Sequence, residues 1–354
     1  MLDFVHTDVH SCIATTCQRR RDMDTLYRYF VALFFGAAGA GALGAAPSHA
    51  EPVPIKVAQS SASFPSITPR LADALGLFEA HGLKPTFIVS ESGAGALTAL
   101  VSGSVEFATG GMDALLSLRA QGQDSVGVAV NIYRGQSGIV VLDKDTVQRL
   151  STKSTDSNDA RVRALDGLSI AAPSASSSMV GTLNMSTELV GGAKINFVYM
   201  SQSAMPAAMQ THSVDGYIAS SPYPEQAVAA GYGAIWLSGP KREFPEAAIT
   251  NASLVLFSSK EFNERHPEVL KSVRGVFDDF ARLVTEQPDR VLEALRQILP
   301  DLSEEALHAS FVQNSQNWTK PHLSLEDLRR EIAMRKGTIE NLDAIDPGTL
   351  VLAE

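Results

Sequence analysis

The chain has 354 residues, of which 45% are hydrophobic and 19% charged, and its formal net charge is −10. This acidic balance argues against nucleic acid and against an anionic membrane surface as partners. A chain of this length can bury a large core and favours two lobes over one.

The first fifty residues are typical of a secretory signal peptide. An apolar run begins at 31–35 and becomes rich in Ala and Gly, and Ser48 and Ala50 place small residues at positions −3 and −1 of a cleavage site. A membrane-spanning helix needs ~20 strongly apolar residues, which this stretch lacks. We therefore expect export with cleavage after Ala50. We also expect a true start at Met23, because the residues before it fit no signal n-region.

Both cysteines, Cys12 and Cys17, precede the expected cleavage site. Cleavage removes four basic and four acidic residues, so the mature chain keeps its net charge of −10. We therefore expect no disulfide, thiol nucleophile, cysteine-bound metal or lipid anchor in the mature protein. No further apolar segment is long enough to span a bilayer.

Strand and helix patterns alternate through the first part of the mature chain. The predicted elements are strand 55–58, helix 67–78, strand 84–89, helix 96–102, strand 105–108, helix 114–120 and strand 126–132. Asp113 is the predicted N-cap of the third helix. This βαβαβαβ order predicts a parallel sheet covered by helices.

A strand predicted at 138–142 has no helix before it, which indicates a crossover into a second lobe. After a polar surface stretch at 151–159, a second series follows: strand 168–171, helix 179–189, strand 195–200, helix 204–210, strand 216–219, helix 224–230 and strand 234–237. The strand at 252–257 again lacks a preceding helix and indicates a return crossover. From Lys260 onward the chain is predicted to be almost wholly helical.

Two series joined by two crossings predict two lobes with a cleft between them. We expect lobe 1 at 51–136 and 253–354, lobe 2 at 137–252, and a hinge near 132–138 and 239–252. Ligands of such sheets bind beyond the carboxyl ends of the strands. Two facing sites of this kind form a clamp that closes on its ligand by hinge motion.

Small hydrogen-bonding residues follow the predicted strands of both lobes. Backbone N–H groups and hydroxyls at helix N-termini suit anionic groups such as sulfonate, nitrate or carboxylate. Ser and Gly are also common in turns and N-caps for structural reasons alone, so that alternative stays open for each of them. The candidate ligand-binding residues are Ser60, Ser61, Ser63, Phe64, Ser92, Gly93, Gly110, Gly111, Met112, Asn131, Tyr133, Ser174, Ser176, Ser178, Ser203, Ser220 and Tyr223.

Aromatic and charged residues near these loops bear on the kind of ligand. Tyr133 and Tyr223 are the aromatic residues expected to face the cleft, where an aromatic clamp would favour a flat ring. Tyr217 lies inside a strand and is predicted to belong to the core. Arg134 either pairs with a carboxylate or sulfonate or lies exposed. The charge of Glu225 suits a helix N-terminus, and a role in the cleft is secondary.

No catalytic or metal-binding motif is found in the sequence. The five histidines after residue 50 have no metal-type spacing, and there is no nucleophile elbow, Walker loop or dinucleotide fingerprint. We therefore predict that the protein is not an enzyme, has no catalytic residues, and uses neither a metal nor a cofactor.

Several segments occur in an order that resembles one family over about 300 residues. They are GLFEAHGLKPTF at 76–87, ALVSGSVEFATGG at 99–111, ALDGLSIAAPSASSS at 164–178 and FSSKEFNERHPEVL at 257–270. The chain is similar to the nitrate/taurine/sulfonate class of solute-binding proteins of ABC importers, which also includes binders of thiamine-precursor pyrimidines.

The resemblance implies an α/β, type II periplasmic binding-protein fold, with a mostly parallel sheet flanked by helices in each lobe and a helical C-terminal region. It also implies a periplasmic monomer that captures a small sulfonate, nitrate, carboxylate or pyrimidine-like solute and delivers it to an ABC permease. Contact with the membrane is then expected only through the permease. A same-fold enzyme acting on a small biosynthetic intermediate, or a ligand-sensing domain for a membrane receptor, stays open.

Overall fold

The structure is a computed structural model, and it describes residues 51–353 except 91, 92, 176 and 249. The predicted signal peptide lies outside the described residues. The strands are β1 Val53–Gln59, β2 Leu83–Val89, β3 Phe107–Gly111, β4 Val126–Tyr133, β5 Ile139–Asp143, β6 Ser169–Ala172, β7 Asn196–Tyr199, β8 Gly216–Ala219, β9 Gly233–Ser238 and β10 Leu254–Ser259.

The α-helices of the described residues flank these strands and dominate the chain after β10. They are α1 Thr68–Ala74, α2 Leu77–Ala80, α3 Gly93–Val101, α4 Met112–Ala120, α5 Lys144–Arg149, α6 Asn158–Arg163, α7 Ser178–Leu189, α8 Met205–Gln210, α9 Tyr223–Ala229, α10 Lys260–Arg265, α11 Pro267–Glu286, α12 Pro288–Ile298, α13 Glu304–Asn314 and α14 Leu325–Met334. Short 3₁₀ helices lie at Glu246–Ala248, Ser315–Trp318, Leu342–Ala344 and Pro347–Thr349. None of the helices in the described part of the chain is both long and apolar enough to cross a membrane.

The first sheet has the order β2-β1-β3-β10-β4. β1 pairs in parallel with β2 and β3, whereas β10 runs antiparallel to its neighbours β3 and β4. Strands β3, β4 and β10 of this sheet are almost wholly buried, as expected for near-continuous apolar runs that are covered on both faces. Its parallel strands direct their carboxyl ends to one edge.

The second sheet repeats this plan with the order β7-β6-β8-β5-β9. β6 pairs in parallel with β7 and β8, and β5 runs antiparallel to β8 and β9. The antiparallel strand of each sheet, β10 or β5, is the strand predicted to lack a preceding helix. The prediction of two mostly parallel sheets with flanking helices and a helical C-terminal region is therefore confirmed.

Two crossovers connect the sheets. The first crossover, residues 134–138, leads from β4 to β5, and the second crossover, residues 239–253, leads from β9 to β10. They touch where the Gly239 N–H donates to the Gly138 carbonyl at 2.9 Å. A Cβ atom on Gly239 would lie 2.7 Å from the carbonyl oxygens of Gln136 and Gly138, so only glycine fits this approach.

The C-terminal helices build the core beneath the first sheet. α11 is a long amphipathic helix, and it buries Val273, Phe277 and Phe280 on one face. The buried Trp318 ring lies 5.8 Å from the Phe280 ring and 5.9 Å from the Phe64 ring. The aromatic contacts therefore tie the loop after β1 to the C-terminal region.

Some predicted helix boundaries were wrong for identifiable reasons. The predicted helix 67–78 is split, because Gly76 has a φ of +76° that ends α1 and precedes α2. Asp113 is not an N-cap: Gly111 precedes α4 without a side-chain cap, and Asp113 accepts a hydrogen bond from Arg335 instead. The polar stretch 151–159 leads into α6, which Ser157 caps by accepting the Ala160 N–H.

Candidate functional site

Hydroxyl groups converge at the carboxyl ends of β1 and β3. The Ser60 N–H donates to Thr109 Oγ1 at 2.9 Å, and the Ser60 and Ser66 hydroxyls lie 3.1 Å apart. Ser61 Oγ lies 2.8 Å from the hydroxyl oxygens of both Ser63 and Ser66. Ser61 is half-buried whereas Ser60, Ser63 and Ser66 are buried, so the chain of hydroxyls opens toward solvent at Ser61.

The glycine-rich end of β3 lies beside this cluster of hydroxyls. β3 ends at Gly111, which is half-buried, and α4 begins at Met112. A Cβ atom on Gly110 would lie 2.7 Å from the Phe257 ring, which explains why no side chain fits there. Two other candidate residues lie at the starts of helices. Met112 is wholly buried in the core. Gly93 is the first residue of α3.

The second sheet presents its own loops after β6, β7 and β8. Ser174 and Ser203 are exposed, Ser178 begins α7, and Ser220 is buried. The Ser220 N–H donates to Gln202 Oε1 at 2.7 Å, which joins the loops after β7 and β8.

The half-buried Tyr223 begins α9, and its carbonyl accepts a hydrogen bond from the Tyr217 hydroxyl at 2.8 Å. Tyr217 is wholly buried, as predicted for a core residue. Ser92 and Ser176 lie outside the described residues.

Loops of the two sheets meet at one backbone hydrogen bond. The Phe64 N–H, after β1 of the first sheet, donates to the Ser221 carbonyl, after β8 of the second sheet, at 2.9 Å. Both residues are wholly buried. The structure therefore brings the Ser60–Phe64 loop and the 220–223 loop, each predicted to hold ligand, into direct contact.

A polar cluster of the buried Tyr133, Ser221, Glu225 and Asn314 and the half-buried Asn317, called the buried polar cluster below, lies behind this contact. The Tyr133 hydroxyl donates to Asn314 Oδ1 at 2.6 Å, and Asn317 Nδ2 donates to the Tyr133 oxygen at 3.3 Å. Asn314 Nδ2 donates to Ser221 Oγ at 2.7 Å, and the Ser221 hydroxyl donates to Glu225 Oε1 at 2.7 Å. The cluster joins β4, α13 and α9, so it links both sheets to the C-terminal region.

The electrostatics of the buried polar cluster follow from its burial. Desolvation raises the pKa of the Glu225 carboxyl to about 7, although the Ser221 hydrogen bond opposes this rise. Glu225 Oε2 is buried and has no hydrogen-bond partner within the described part of the chain. Desolvation, followed by the nearby charge of Glu225, raises the pKa of Tyr133 well above its ordinary value. Tyr133 therefore stays a neutral hydrogen-bond donor.

Asn131 lies on β4, and Arg134 follows directly after this strand. Both residues form contacts with the C-terminal segment. Asn131 Nδ2 donates to the Lys320 carbonyl at 3.2 Å, and the Asn131 N–H donates to the Pro321 carbonyl at 2.8 Å. Arg134 Nη2 lies 3.0 Å from Asp327 Oδ1. The structure therefore places the Asn131 side chain at the outer edge of the first sheet, with the C-terminal segment.

Asn314 and Ser310 were missed by sequence reasoning, although α13 carries a signal for them. The buried face of α13 begins with Ala306 and Leu307 and continues through Ser310, Phe311 and Asn314. Polar residues at the core positions of an amphipathic helix need buried partners. This departure from an apolar stripe could have marked the end of α13 as part of a polar site.

One group of described residues has the composition of a metal site. Asp143, Asp145 and His212 offer ligand atoms within 4.8 Å of one another. Asp143 Oδ1 already accepts the Asp145 N–H at 2.9 Å as the N-cap of α5. The group is explained by helix capping and a surface turn, so we assign it no metal.

A sequence model described as the NMT1-like family matches residues 68–288, which is more than half of the chain. No protein among curated sequences matches. Comparison of the structure with solved structures gives 15% identity and a TM-score of 0.64 to a protein from Bordetella bronchiseptica RB50, covering 86% of this chain and 96% of that one.

Two further solved structures carry functional names. The periplasmic aliphatic sulphonate binding protein SsuA from Escherichia coli is 16% identical with a TM-score of 0.63, and the match covers 84% of this chain and 96% of that one. The periplasmic nitrate-binding protein NrtA from Synechocystis PCC 6803 is 12% identical with a TM-score of 0.59, over 84% and 87% of the two chains. These likenesses show that the fold is the type II periplasmic binding-protein fold, as predicted.

Proposed function

The chain belongs to the NMT1-like family, and we propose that it is a solute-binding protein that captures a small molecule between two lobes and passes it to an ABC permease. The observation that carries this proposal is the contact between Phe64 and Ser221, because it joins loops at the carboxyl ends of strands from two different sheets. The sulphonate- and nitrate-binding proteins that share the fold support the same class of function.

The proposed lobes follow the sequence-based boundaries. Lobe 1 comprises 51–136 and 253–354, and lobe 2 comprises 137–252, with hinge segments near 132–138 and 239–252. The hydrogen bond between Gly239 and Gly138 supports a hinge, because it holds the two crossovers side by side where both pass between the sheets. Export to the periplasm as a monomer, after removal of residues 1–50, is part of the same proposal.

The ligand chemistry follows from the candidate residues, none of which carries a charge. Serine hydroxyls and backbone N–H groups at helix starts donate hydrogen bonds without a counter-charge, which suits a sulfonate, nitrate or carboxylate group. The half-buried Tyr223 adds a flat apolar surface that would accept a ring or short chain. We therefore propose a small solute with one anionic or strongly accepting group beside an apolar part, a description that a pyrimidine-like ligand also meets.

The decisive experiment is mass spectrometry of small molecules released from the purified protein, followed by thermal-shift titration. The titration would use taurine, nitrate, a short carboxylate and an aminopyrimidine. A true ligand at about 100 times Kd should stabilise the fold by about 2.7 kcal/mol. The recovered ligand should have an unchanged mass after incubation, because a binding protein releases what it captured.

Matched variants test the site itself. Ser61→Ala and Tyr223→Ala should each reduce the ligand-induced shift, whereas Ser102→Ala should not. Ser102 is an exposed serine at the end of α3, and its hydroxyl donates to the Ala99 carbonyl. A shift that neither Ser61→Ala nor Tyr223→Ala reduces would refute the proposed site. Turnover of the bound molecule would refute the proposed function and favour a same-fold enzyme.

A further inference from the structure

A cavity that is not lined by the loops just described lies against both crossovers. Its volume is about 520 Å³, within the range of small-molecule pockets. Arg134 and Gly135 contribute one wall from the first crossover, and Gly239 and Arg242 contribute another from the second. The 315–320 segment closes the third side. This cavity is called the crossover pocket below.

The crossover pocket carries positive charge in a protein that is otherwise acidic. Its lining includes Arg134, Arg242 and Lys320 and no aspartate or glutamate, whereas the whole chain has a net charge of −10. Such a concentration of one sign of charge in a concave site attracts ligands of the opposite sign. Neutral donors near the cations include the amides of Gln316 and Asn317.

Acidic neighbours use only part of the donor capacity of the two arginines. Arg134 Nη2 lies 3.0 Å from Asp327, and Arg242 Nη2 lies 2.5 Å from Glu246. Each guanidinium has five N–H donors, so several remain for a ligand. No ion pair is found for Lys320 within the described residues.

The single carboxylate of Glu246 is shared by two arginines, Arg242 and Arg330, so it neutralises their charge only in part. Arg330 Nη2 lies 3.4 Å from the same carboxylate oxygen that Arg242 contacts. The hydrogen bond from Arg242, together with the charges of Arg242 and Arg330, lowers the pKa of the Glu246 carboxyl. The lowered pKa means that the carboxylate stays ionised while the two arginines share it.

We propose that the crossover pocket is a second binding site, distinct from the cleft between the lobes, for a small molecule that carries a dianionic phosphate group. Two arginine forks and a lysine suit the several acceptor oxygens of a phosphate better than a single carboxylate. The volume leaves room for an organic part beyond the phosphate. A ligand held there contacts both crossovers at once, so its binding opposes separation of Gly239 from Gly138.

The probes for this site are inorganic phosphate, AMP and adenosine, titrated calorimetrically into the full protein at constant ionic strength. AMP should bind and adenosine should not. Binding of inorganic phosphate alone would identify the free ion as the ligand and still support the site. The double variant Arg242→Gln, Lys320→Gln should weaken binding by about tenfold or more. Lys241→Gln removes one positive charge from the same exposed turn outside the pocket lining, so it should change Kd by less than about twofold.

Hydrogen exchange locates the bound probe. Saturating AMP or phosphate should slow amide exchange in peptides covering 134–138 and 239–242, and the double variant should abolish that protection. Loss of phosphate binding in Ser61→Ala would place the anion among the serine loops and overturn the proposal. Equal losses in Lys241→Gln and the double variant would indicate diffuse surface charge and would also overturn it. Binding of an acidic peptide without any binding of phosphate or AMP would assign the surface to a protein partner instead.

Discussion

Asn314 donates to Ser221 Oγ at 2.7 Å, and this side-chain contact joins the C-terminal region to the loop after β8 of the second sheet. The same amide group accepts from the Tyr133 hydroxyl at the end of β4. Asn314 is therefore the point at which three separate parts of the chain share one hydrogen-bond network. Because the residue is wholly buried, water cannot replace these partners.

Asn314→Ala should destabilise the fold strongly, because it leaves Tyr133 and Ser221 with unmet hydrogen bonds in the buried polar cluster. Each unsatisfied buried group costs about 1–3 kcal/mol, so we expect a loss of roughly 2–4 kcal/mol in the free energy of unfolding. Urea denaturation measures this loss. Asn184→Ala, on the exposed side of α7, is the control and should change stability by less than about 0.5 kcal/mol. Equal effects of the two substitutions would contradict the assigned role.

Glu225 should make stability depend on pH with a definite sign. Burial raises the pKa of its folded-state carboxyl to about 7, above the ordinary value of 4.5, so the folded state binds the proton more tightly than the unfolded state. The stability that Glu225 contributes is therefore greatest below its unfolded-state pKa and falls as the pH rises from about 4.5 through about 7. A pKa shift of one unit corresponds to about 1.4 kcal/mol, which gives a total effect of up to about 3 kcal/mol.

Glu225→Gln removes this titration and keeps an acceptor for the Ser221 hydroxyl. As the pH rises from 5 to 8, the free energy of unfolding of the variant should increase by about 1–3 kcal/mol relative to that of the unmodified protein. The other groups that influence Glu225 are Lys241, which favours its charged form, and the hydroxyl of Ser310. Urea titrations across this pH range provide the measurement, and Glu188→Gln on an exposed helix position is the control. Parallel curves for Glu225→Gln and the unmodified protein would show that the carboxyl does not titrate there.

The fold could be predicted from sequence because its signals are local. Strands β1, β2, β6, β8 and β9 each have a short apolar run followed directly by Ser, Pro or Gly. The missing helix before β5 and before β10 revealed the crossovers. α5 and α6 were not predicted, because they are short and mostly polar and so carry no apolar periodicity. Their caps, Asp143 and Ser157, act through one side-chain hydrogen bond each.

The candidate site could be predicted only in part. Each loop is recognisable from neighbouring residues in the sequence, but the contacts between the loops join residues that are far apart in it. The Ser60–Phe64 and 220–223 loops were predicted to hold ligand, but their mutual contact joins residues more than 150 positions apart. Asp113 has the residue type and position of an N-cap, yet its partner Arg335 lies 222 residues away. Pairings of this kind depend on the tertiary fold and leave no pattern in a single sequence.

Glu331 anchors the second crossover to α14. Its Oε1 atom accepts the backbone N–H groups of Asn251 and Ala252, and its Oε2 atom lies 2.7 Å from Arg335 Nη1. Glu331→Ala should cost about 3–5 kcal/mol, because it leaves a buried arginine without one of its two carboxylates. Glu331→Gln should cost less, since it keeps an acceptor for both amides. The exposed Glu326→Ala on the same helix should lower the midpoint of chemical denaturation only slightly, and a comparable loss there would contradict the anchoring role.

Gly239→Ala tests whether the close approach of the two crossovers limits the fold. The added Cβ atom would meet the carbonyl oxygens of Gln136 and Gly138 at 2.7 Å, and backbone atoms cannot rotate away. We expect a loss of about 1–3 kcal/mol, as for other overpacked sites, and faster amide exchange in both crossovers. Gly181→Ala is the matched control, because the added methyl meets nothing within 4 Å in the helix α7. There the same chemical change should raise stability by about 0.5–1 kcal/mol. If both substitutions stabilise the protein, the crossovers must be free to separate without cost, and the Gly239 contact cannot be part of a hinge.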